Sequence, residues 1–492
     1  MENQQPSHQR EALERSIPFG HYIAIGVGVI VGVGWVVYSG QWLQEGGPLG
    51  AMLAFALGGL LLLPVGYCYA ELTSALPLAG GELSFSYFAF GKLAGFLTAW
   101  ALALNYVFVT PFETIAIGTL METLIPGIAT DALYFVGSGG ADSRVALSTI
   151  IPGLMIGSFL LWLNFSGAKS STRFQLILVY GMIACTIVFT GAALLKGNIG
   201  NLHPLFAPHE GTTGWAAIGA SIVSVLVVVP FFMSGFDTIP QAAEESGSAM
   251  NPRQLGVAIL ISILAGACFY VLIILAVSIS MPWTVSSKLP MTTAAVFKEA
   301  FGYEWAAKLV IFTAVLGLIS TLNGMYIAAS RLIFSLGRGG LLPHWFAGVH
   351  PVHHTPVNAL IFVGAISLIG PFVGKWALIP IVNCNSFVFT IALAVTCASA
   401  IRLRMSAPNL ARPYRANTLM LYAGLIVSLL LLALMLAPNS PGRIGDVELI
   451  IAAGWMIFGI IAYVWRQATK PMPRDEMDYM VLGDFAPSRQ GK

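Results

Sequence analysis

Two acidic side chains stand in stretches too apolar for a solvated surface. Asp237 lies in PFFMSGFDTIP (Pro230 to Pro240), directly after IVSVLVVV, and Glu113 lies in NYVFVTPFETIAIG. Glu113 is three residues beyond Thr110, so the two share a helix face. A carboxylate inside a bilayer costs about 3 kcal/mol even on the most lenient insertion scale, so such residues are retained for what they do. Two acids brought to one cavity raise each other's proton affinity and can load and release a proton; equally, they can serve as counter-ions to a cationic ligand. Both readings stay open, as does one in which Asp237 caps the half-helix that follows it.

The backbone around these residues is equally unusual. Pro230, Gly235 and Pro240 interrupt an otherwise helical apolar run, and Gly26, Gly28, Gly32 and Gly34 crowd the centre of GVGVIVGVGWVVYSG (Gly26 to Gly40). A helix broken inside a membrane exposes N–H groups at one half-helix end and carbonyls at the other, which can hold an anion and a cation respectively. Glycines four apart, such as Gly28 and Gly32, also let two helices pack closely, and the spacing alone leaves that reading open.

These residues must be positioned by membrane helices. Of 492 residues, 57% are hydrophobic and 9% charged, against roughly 25% charged in a soluble domain. Apolar runs of about 20 residues recur twelve times, near 20–42, 47–72, 95–120, 145–166, 174–196, 216–243, 254–281, 305–330, 357–373, 376–400, 418–437 and 447–466. The expectation is an all-α integral membrane protein with twelve transmembrane helices, an N-terminal segment 1–19 and a tail 467–492. The polar N-terminus carries no A-x-A cleavage site, so no signal peptide is expected. Seventeen of the 24 Lys and Arg residues fall on the side holding both chain ends, which by the positive-inside rule makes both termini cytoplasmic. IRLRMSAPNLARPYR would then lie near anionic lipid headgroups.

The same inventory excludes several classes. No connecting segment is long enough for a soluble domain, and no G-x-x-x-x-G-K-[ST] occurs, so ATP hydrolysis by this chain is not expected. No motif for metal-dependent or nucleophilic catalysis is present, so the chain is not read as an enzyme. All five cysteines lie in apolar spans without C-x-x-C and read as packing residues. HPVHHTP (350–356) and His344 have no accompanying Cys or carboxylate and read as a loop, with no metal site expected. Glu71, Glu244 and Glu245 read as partners of arginines or as helix caps. No cofactor, nucleic acid or obligate protein partner is expected.

Spans one and six occupy matching places if spans one to five (20–196) and six to ten (216–400) are halves related by inversion. Paired interrupted helices in matching positions point to a transporter site at the bilayer midplane.

At family level, GGPLG (46–50), YAELTSALPLAGGELSFSYFAFG (69–91), PFFMSGFDTIPQAAEES (230–246), SRLIFSLGRGGLLPHWFAGVHPVHHTPVNAL (330–360) and RPYR (412–415) together resemble the amino acid–polyamine–organocation permease superfamily. The resemblance runs from about Pro18 to Arg415. It implies a five-plus-five inverted-repeat (LeuT-like) core with helices one and six broken, plus two extra helices over 418–466. It also implies that Ile30, Val31, Gly32, Val33 and Gly34 offer amides to a substrate carboxylate, with Val33 replacing a serine found in several relatives. Phe231, Phe232, Ser234, Gly235 and Phe236 would offer carbonyls and an aromatic lid, Phe231 and Phe236 being the gate candidates, and Thr110 and Glu113 would line the cavity. Met182 stands where proton-coupled relatives often carry a lysine. The coupling ion, H+ or Na+, is therefore expected at Asp237 or Glu113 for a proton, or beside Ser320 and Thr321 for sodium. These hydroxyls can alternatively bond back to their own helix.

The expected function is an ion-coupled secondary active permease, a symporter with protons favoured, carrying a small amino acid across the inner membrane by alternating access. An amine substrate such as ethanolamine or a polyamine, held by Glu113 and Asp237, is the alternative on the same fold. A channel or a non-transporting nutrient sensor is the alternative outside it.

Overall fold

The computed structural model describes residues 10, 13–136, 144–211, 213–289, 291–438 and 443–486. Among them, ten helices are long and apolar enough to cross a membrane, and the chain is a multi-pass membrane protein. The sixth and ninth expected spans contain shorter apolar helices, Gly214–Leu226 and Val357–Val373.

The first span enters as α1 (Phe19–Ile30), leaves helical geometry over residues 31–33 and resumes as α2 (Gly34–Val37). It continues into α3 (Ser39–Ala75), where Gly47 at φ +66° followed by Pro48 turns the chain. A Cβ at Gly47 would meet the backbone of Phe206 and Ala207 at 2.6–2.7 Å, so only glycine allows this close turn. Past the Gly80–Gly81 turn comes the short α4 (Glu82–Phe90), then α5 (Lys92–Leu124). Next come β1 (Ala132–Phe135) and β2 (Arg144–Ala146), then α6 (Leu147–Phe165) and α7 (Ala168–Lys196). The two strands form an antiparallel ribbon that a purely helical expectation did not contain.

The sixth span is three pieces: α8 (Gly214–Leu226), α9 (Val229–Phe232) and α10 (Thr238–Gln241). Pro230 has no N–H for the Leu226 carbonyl, and Pro240 has none for Phe236, whose carbonyl instead accepts from Ile239 N–H at 3.3 Å. α11 (Arg253–Ser280) follows, then α12 (Trp283–Ser286) and α13 (Thr292–Phe301) in a segment that sequence reading leaves as a hydrophilic loop. These short helices cover the end of α2: Thr293 Oγ1 donates to the Trp35 carbonyl at 2.8 Å and lies 2.9 Å from Ser39 Oγ. The chain ends with α14 (Glu304–Arg338), α15 (Val357–Val373), α16 (Leu378–Ser406), α17 (Thr418–Leu436), α18 (Asp446–Thr469) and α19 (Arg474–Leu482).

α14 runs through the middle of the molecule, with every residue from Ser320 to Arg338 buried. α1, α5 and α7 pack around it, and α11 packs on α1. Residues 13–17 and α19 lie on one face, termed here the chain-end face: Ser16 and Ile17 N–H bond the Glu245 carbonyl at 3.0 Å, and Arg10 reaches both Glu244 and the Met480 carbonyl.

Candidate functional site

The break in the first span leaves the N–H groups of Gly32, Val33, Gly34 and Trp35 without an acceptor among the described residues. The carbonyls preceding them are tied down: Gly28 O accepts from Ser320 Oγ at 2.9 Å and Ile30 O from Tyr270 Oη at 3.0 Å. Gly317 makes this approach possible, since a Cβ there would sit 2.8–2.9 Å from the carbonyl oxygens of Val31 and Gly32.

The break in the sixth span abuts the first. Gly235 has φ +136°, and a Cβ at this position would lie 2.8 Å from the Ile30 nitrogen, so the two unwound backbones touch. The carbonyls of Phe232, Met233 and Ser234 receive no donor among the described residues. Unpaired donors of one break and unpaired acceptors of the other thus come together, and buried backbone groups are rarely left so.

Between them lies a cavity of about 60 Å³, lined by Ile30, Gly32, Val33 and Gly34, by Phe231, Phe232 and Ser234, and by Glu113, Thr321, Tyr270 and Asn385 among others. This is room for a few water molecules. Val31, Thr110, Gly235, Phe236, Asp237 and Ser320 lie outside its lining. Thr110 turns its hydroxyl to the Val107 carbonyl at 2.8 Å. A larger cavity of about 320 Å³ adjoins the first on the side away from the chain-end face and reaches Gln41, Ser386 and Arg443. Tyr38, Phe231, Phe232 and Val382 line both cavities and form the partition between them. Phe236 belongs to the opposite layer, edge-on to Tyr69 with centroids 5.3 Å apart. The two gate candidates therefore lie on different sides of the cavity.

The two acids are also separated. Glu113 lines the cavity, is 4% exposed and has no hydrogen bond or ion pair among the described residues. Asn385, which sequence reading missed, lines the same cavity with both side-chain polar atoms buried and unpartnered. Its signal was an amide inside an apolar span, IVNCNSF. Asp237, for which capping was one open reading, makes no side-chain capping bond to the half-helix after it: Oδ1 accepts Gly235 N–H at 2.8 Å and Oδ2 accepts from Tyr106 Oη at 2.7 Å. Tyr106 also lies 3.4 Å from Gln241 Nε2, and Gln241 donates to Glu82. Asp237, Tyr106, Gln241 and Glu82 thus form a buried polar chain beside the cavity, and the expected sharing of one cavity by Asp237 and Glu113 is not what the geometry has.

Ser320 and Thr321 reach across to the first span rather than only back along α14. Thr321 Oγ1 lies 3.1 Å from its own helix's Gly317 carbonyl and 3.4 Å from those of Gly28 and Val29. Ser320 Oγ accepts from Gln175 Nε2 at 2.8 Å, and Gln175 Oε1 accepts from Asn323 Nδ2 at 2.9 Å. Met182, at the position flagged for a missing lysine, is buried with an apolar side chain, and Gln175 two turns earlier reaches the Ala24 carbonyl of the broken helix at 3.4 Å.

The chain-end face is sealed by charge. Arg331 forks onto Glu245 at 2.7 and 3.0 Å with both side chains 1% exposed, and Arg338 forks onto Glu244 at 2.8 Å through both terminal nitrogens. Glu244 lies just beyond the sixth span. Burial pushes its carboxyl up, but Arg338 and Arg10 outweigh that and hold it at about 2. Glu71 pairs with Arg404 and Arg412, so these three glutamates are partners of arginines as expected. In the histidine cluster, His350 Nδ1 accepts N–H groups of Val352 and His353 and closes a turn.

A family profile described as Amino acid permease matches residues 19–463. The chain is 26% identical to the Branched-chain amino acid permease BcaP of Bacillus subtilis, covering 92% of this chain and 93% of that protein. It is 27% identical to the Methylthioribose transporter of Bacillus subtilis over 82% of this chain and 84% of that one. It is 29% identical to Cationic amino acid transporter 3, mitochondrial, of Arabidopsis thaliana, over 74% of this chain and 58% of the plant protein.

Proposed function

The chain belongs to the amino acid permease family, within the amino acid–polyamine–organocation superfamily, and on that premise we propose that it is a secondary active permease moving a small amino acid by alternating access. The substrate carboxylate binds the free N–H groups of Gly32, Val33 and Gly34, and its ammonium binds the carbonyls of Phe232 and Ser234. The observation that carries this reading is the meeting of unpaired donors and unpaired acceptors at one small cavity. A zwitterion satisfies both sets, and an amine without a carboxylate satisfies one. The amine alternative is further weakened because Asp237, one of its two counter-ions, is bonded to Tyr106 outside the cavity. Relatives of similar identity are named for branched-chain amino acids, for cationic amino acids and for methylthioribose, so identity alone does not select the side chain carried.

Residues 20–196 and 216–400 then form the two inverted LeuT-like halves, with the shorter apolar helices completing twelve spans and both termini on the cytoplasmic side of the inner membrane. On this orientation the cavity of about 320 Å³ is a vestibule on the non-cytoplasmic side and the arginine–glutamate layer is the closed cytoplasmic gate. Protons are favoured over sodium as the coupling ion. The Ser320 hydroxyl is already committed to Gly28 and Gln175, so a sodium ion there would have to displace existing hydrogen bonds, whereas Asp237 and Glu113 are buried acids able to carry a proton.

Counterflow of a labelled amino acid into proteoliposomes preloaded with unlabelled amino acid tests the function. Accumulation is expected; binding without flux would make the protein a sensor, flux without counterflow would make it a channel, and counterflow of the decarboxylated amine alone would replace the substrate class. For coupling, Asp237→Asn or Glu113→Gln is expected to abolish pH-driven uptake while leaving exchange. A parent-like response to pH in both variants would remove these acids as proton carriers.

A further inference from the structure

A third cavity of about 490 Å³ opens on the chain-end face, remote from the substrate site, between the end of α18, the 470–473 connection and α19. Arg466, in the last turn of α18, lines it and is only 7% exposed. Its Nε and Nη1 are buried with no partner among the described residues, and it makes no ion pair there. Among the described residues, the other arginines buried to this degree, Arg331 and Arg338, each fork onto a glutamate. A buried guanidinium without a counter-charge is strongly disfavoured, so the site is incomplete as the protein alone builds it. Lys470 and His344 line the same cavity, and Glu476 of α19 is its acidic residue.

We propose that this cavity binds a phosphate group. A guanidinium left without an anionic partner suits an oxyanion, and Lys470 brings a second positive charge to the same cavity, a pairing of Arg and Lys that suits phosphate. The phosphate comes either from an anionic lipid headgroup or from a soluble phosphate. For the lipid, Trp465, Val464 and Ile461 on α18 are exposed apolar side chains against which acyl chains can lie. For either source, the consequence is the same. Met472, Glu476 and Met480 belong to the connection and helix that α18 leads into, so occupancy staples α19 in the place where Tyr87 Oη bonds Asp478 at 2.6 Å and Arg10 bonds the Met480 carbonyl.

The test is thermal unfolding of the purified full-length protein in detergent, with inorganic phosphate, with short-chain phosphatidylglycerol, and with short-chain phosphatidylcholine and chloride at matched ionic strength as controls. For the parent, phosphate or phosphatidylglycerol is expected to raise the midpoint by about 2–3 °C over the controls, and the more effective of the two identifies the source. Arg466→Gln is expected to lose this shift and, with no anion present, to unfold at or above the parent's midpoint because it removes an unpaired buried charge. Lys470→Gln, a surface change that leaves packing intact, is expected to require several-fold more ligand for the same shift. The proposal is overturned if neither anion shifts the parent beyond the controls, if Arg466→Gln retains the shift, or if both variants respond as the parent does.

Discussion

Tyr106 shows what a single side chain contributes here. Its hydroxyl is the donor that satisfies Asp237 Oδ2 in a site with no water-facing alternative. Tyr106→Phe leaves a buried carboxyl oxygen unpaired, which costs about 1–3 kcal/mol. Thermal unfolding should show a lower midpoint, and the pH dependence of uptake should move while counterflow at fixed pH is largely kept. If uptake follows pH as in the parent, the Tyr106–Asp237 bond plays no part in coupling. Asp237 and Glu113 were legible in the sequence because a charge in an apolar run stands out. Tyr106, Gln175 and Asn385 were not, since a tyrosine or an amide in a membrane helix becomes significant only through the partner it meets or lacks.

Among the elements, the two interrupted spans carry the most consequence. They are placed by local chemistry: in the sixth, Pro230 and Pro240 lack the donor and Gly235 supplies a positive φ, and in both, glycine leaves room for the neighbouring chain. Gly235→Ala puts a methyl 2.8 Å from Ile30 N and 2.9 Å from Val29 atoms, at a φ of +136° that an L-residue rarely adopts. Both faults strike where the breaks touch. Uptake in proteoliposomes is expected to fall at least about tenfold while the protein is still extracted folded, because the surrounding long helices are untouched. Parent-like uptake by this variant would mean that the contact between the breaks is dispensable. Elements outside the bilayer were read less well. The 281–304 segment and the tail appeared as hydrophilic connections, and their helices are stabilised by docking onto α2 and onto the chain-end face rather than by their own length.

Across the whole molecule, the two faces are unequal, with a vestibule on one side and a layer of arginine–glutamate pairs on the other. Glu244 is held at about 2 against an ordinary 4.5. Its folded-state proton affinity is lowered, so its stabilisation is fully present above about pH 4.5 and is lost as pH falls through about 2. The midpoint of thermal unfolding should accordingly be flat on this residue's account from pH 5 to 8 and decline below it; Glu244→Gln should start lower at neutral pH and decline less. An identical acid response in the variant would remove Glu244 as the cause. The vestibule makes a separate prediction. In a cysteine-free background, Ser386→Cys should react with a membrane-impermeant maleimide only from the face opposite the chain ends. Labelling from the chain-end face instead would contradict the closed side assigned here. The amino-acid sequence by itself determined that this is a multi-pass helical membrane protein, which family it resembles, and where two helices stop short. Those properties depend on apolar run length and on backbone chemistry that each residue carries with it. Only the tertiary structure decided which acid faces the cavity, which phenylalanine lies on which side of it, and which arginine is left unpaired. Successive helical side chains point about 100° apart, and the partners involved, such as Tyr106 with Asp237, lie far apart along the chain, so facing and pairing arise only once the helices have packed.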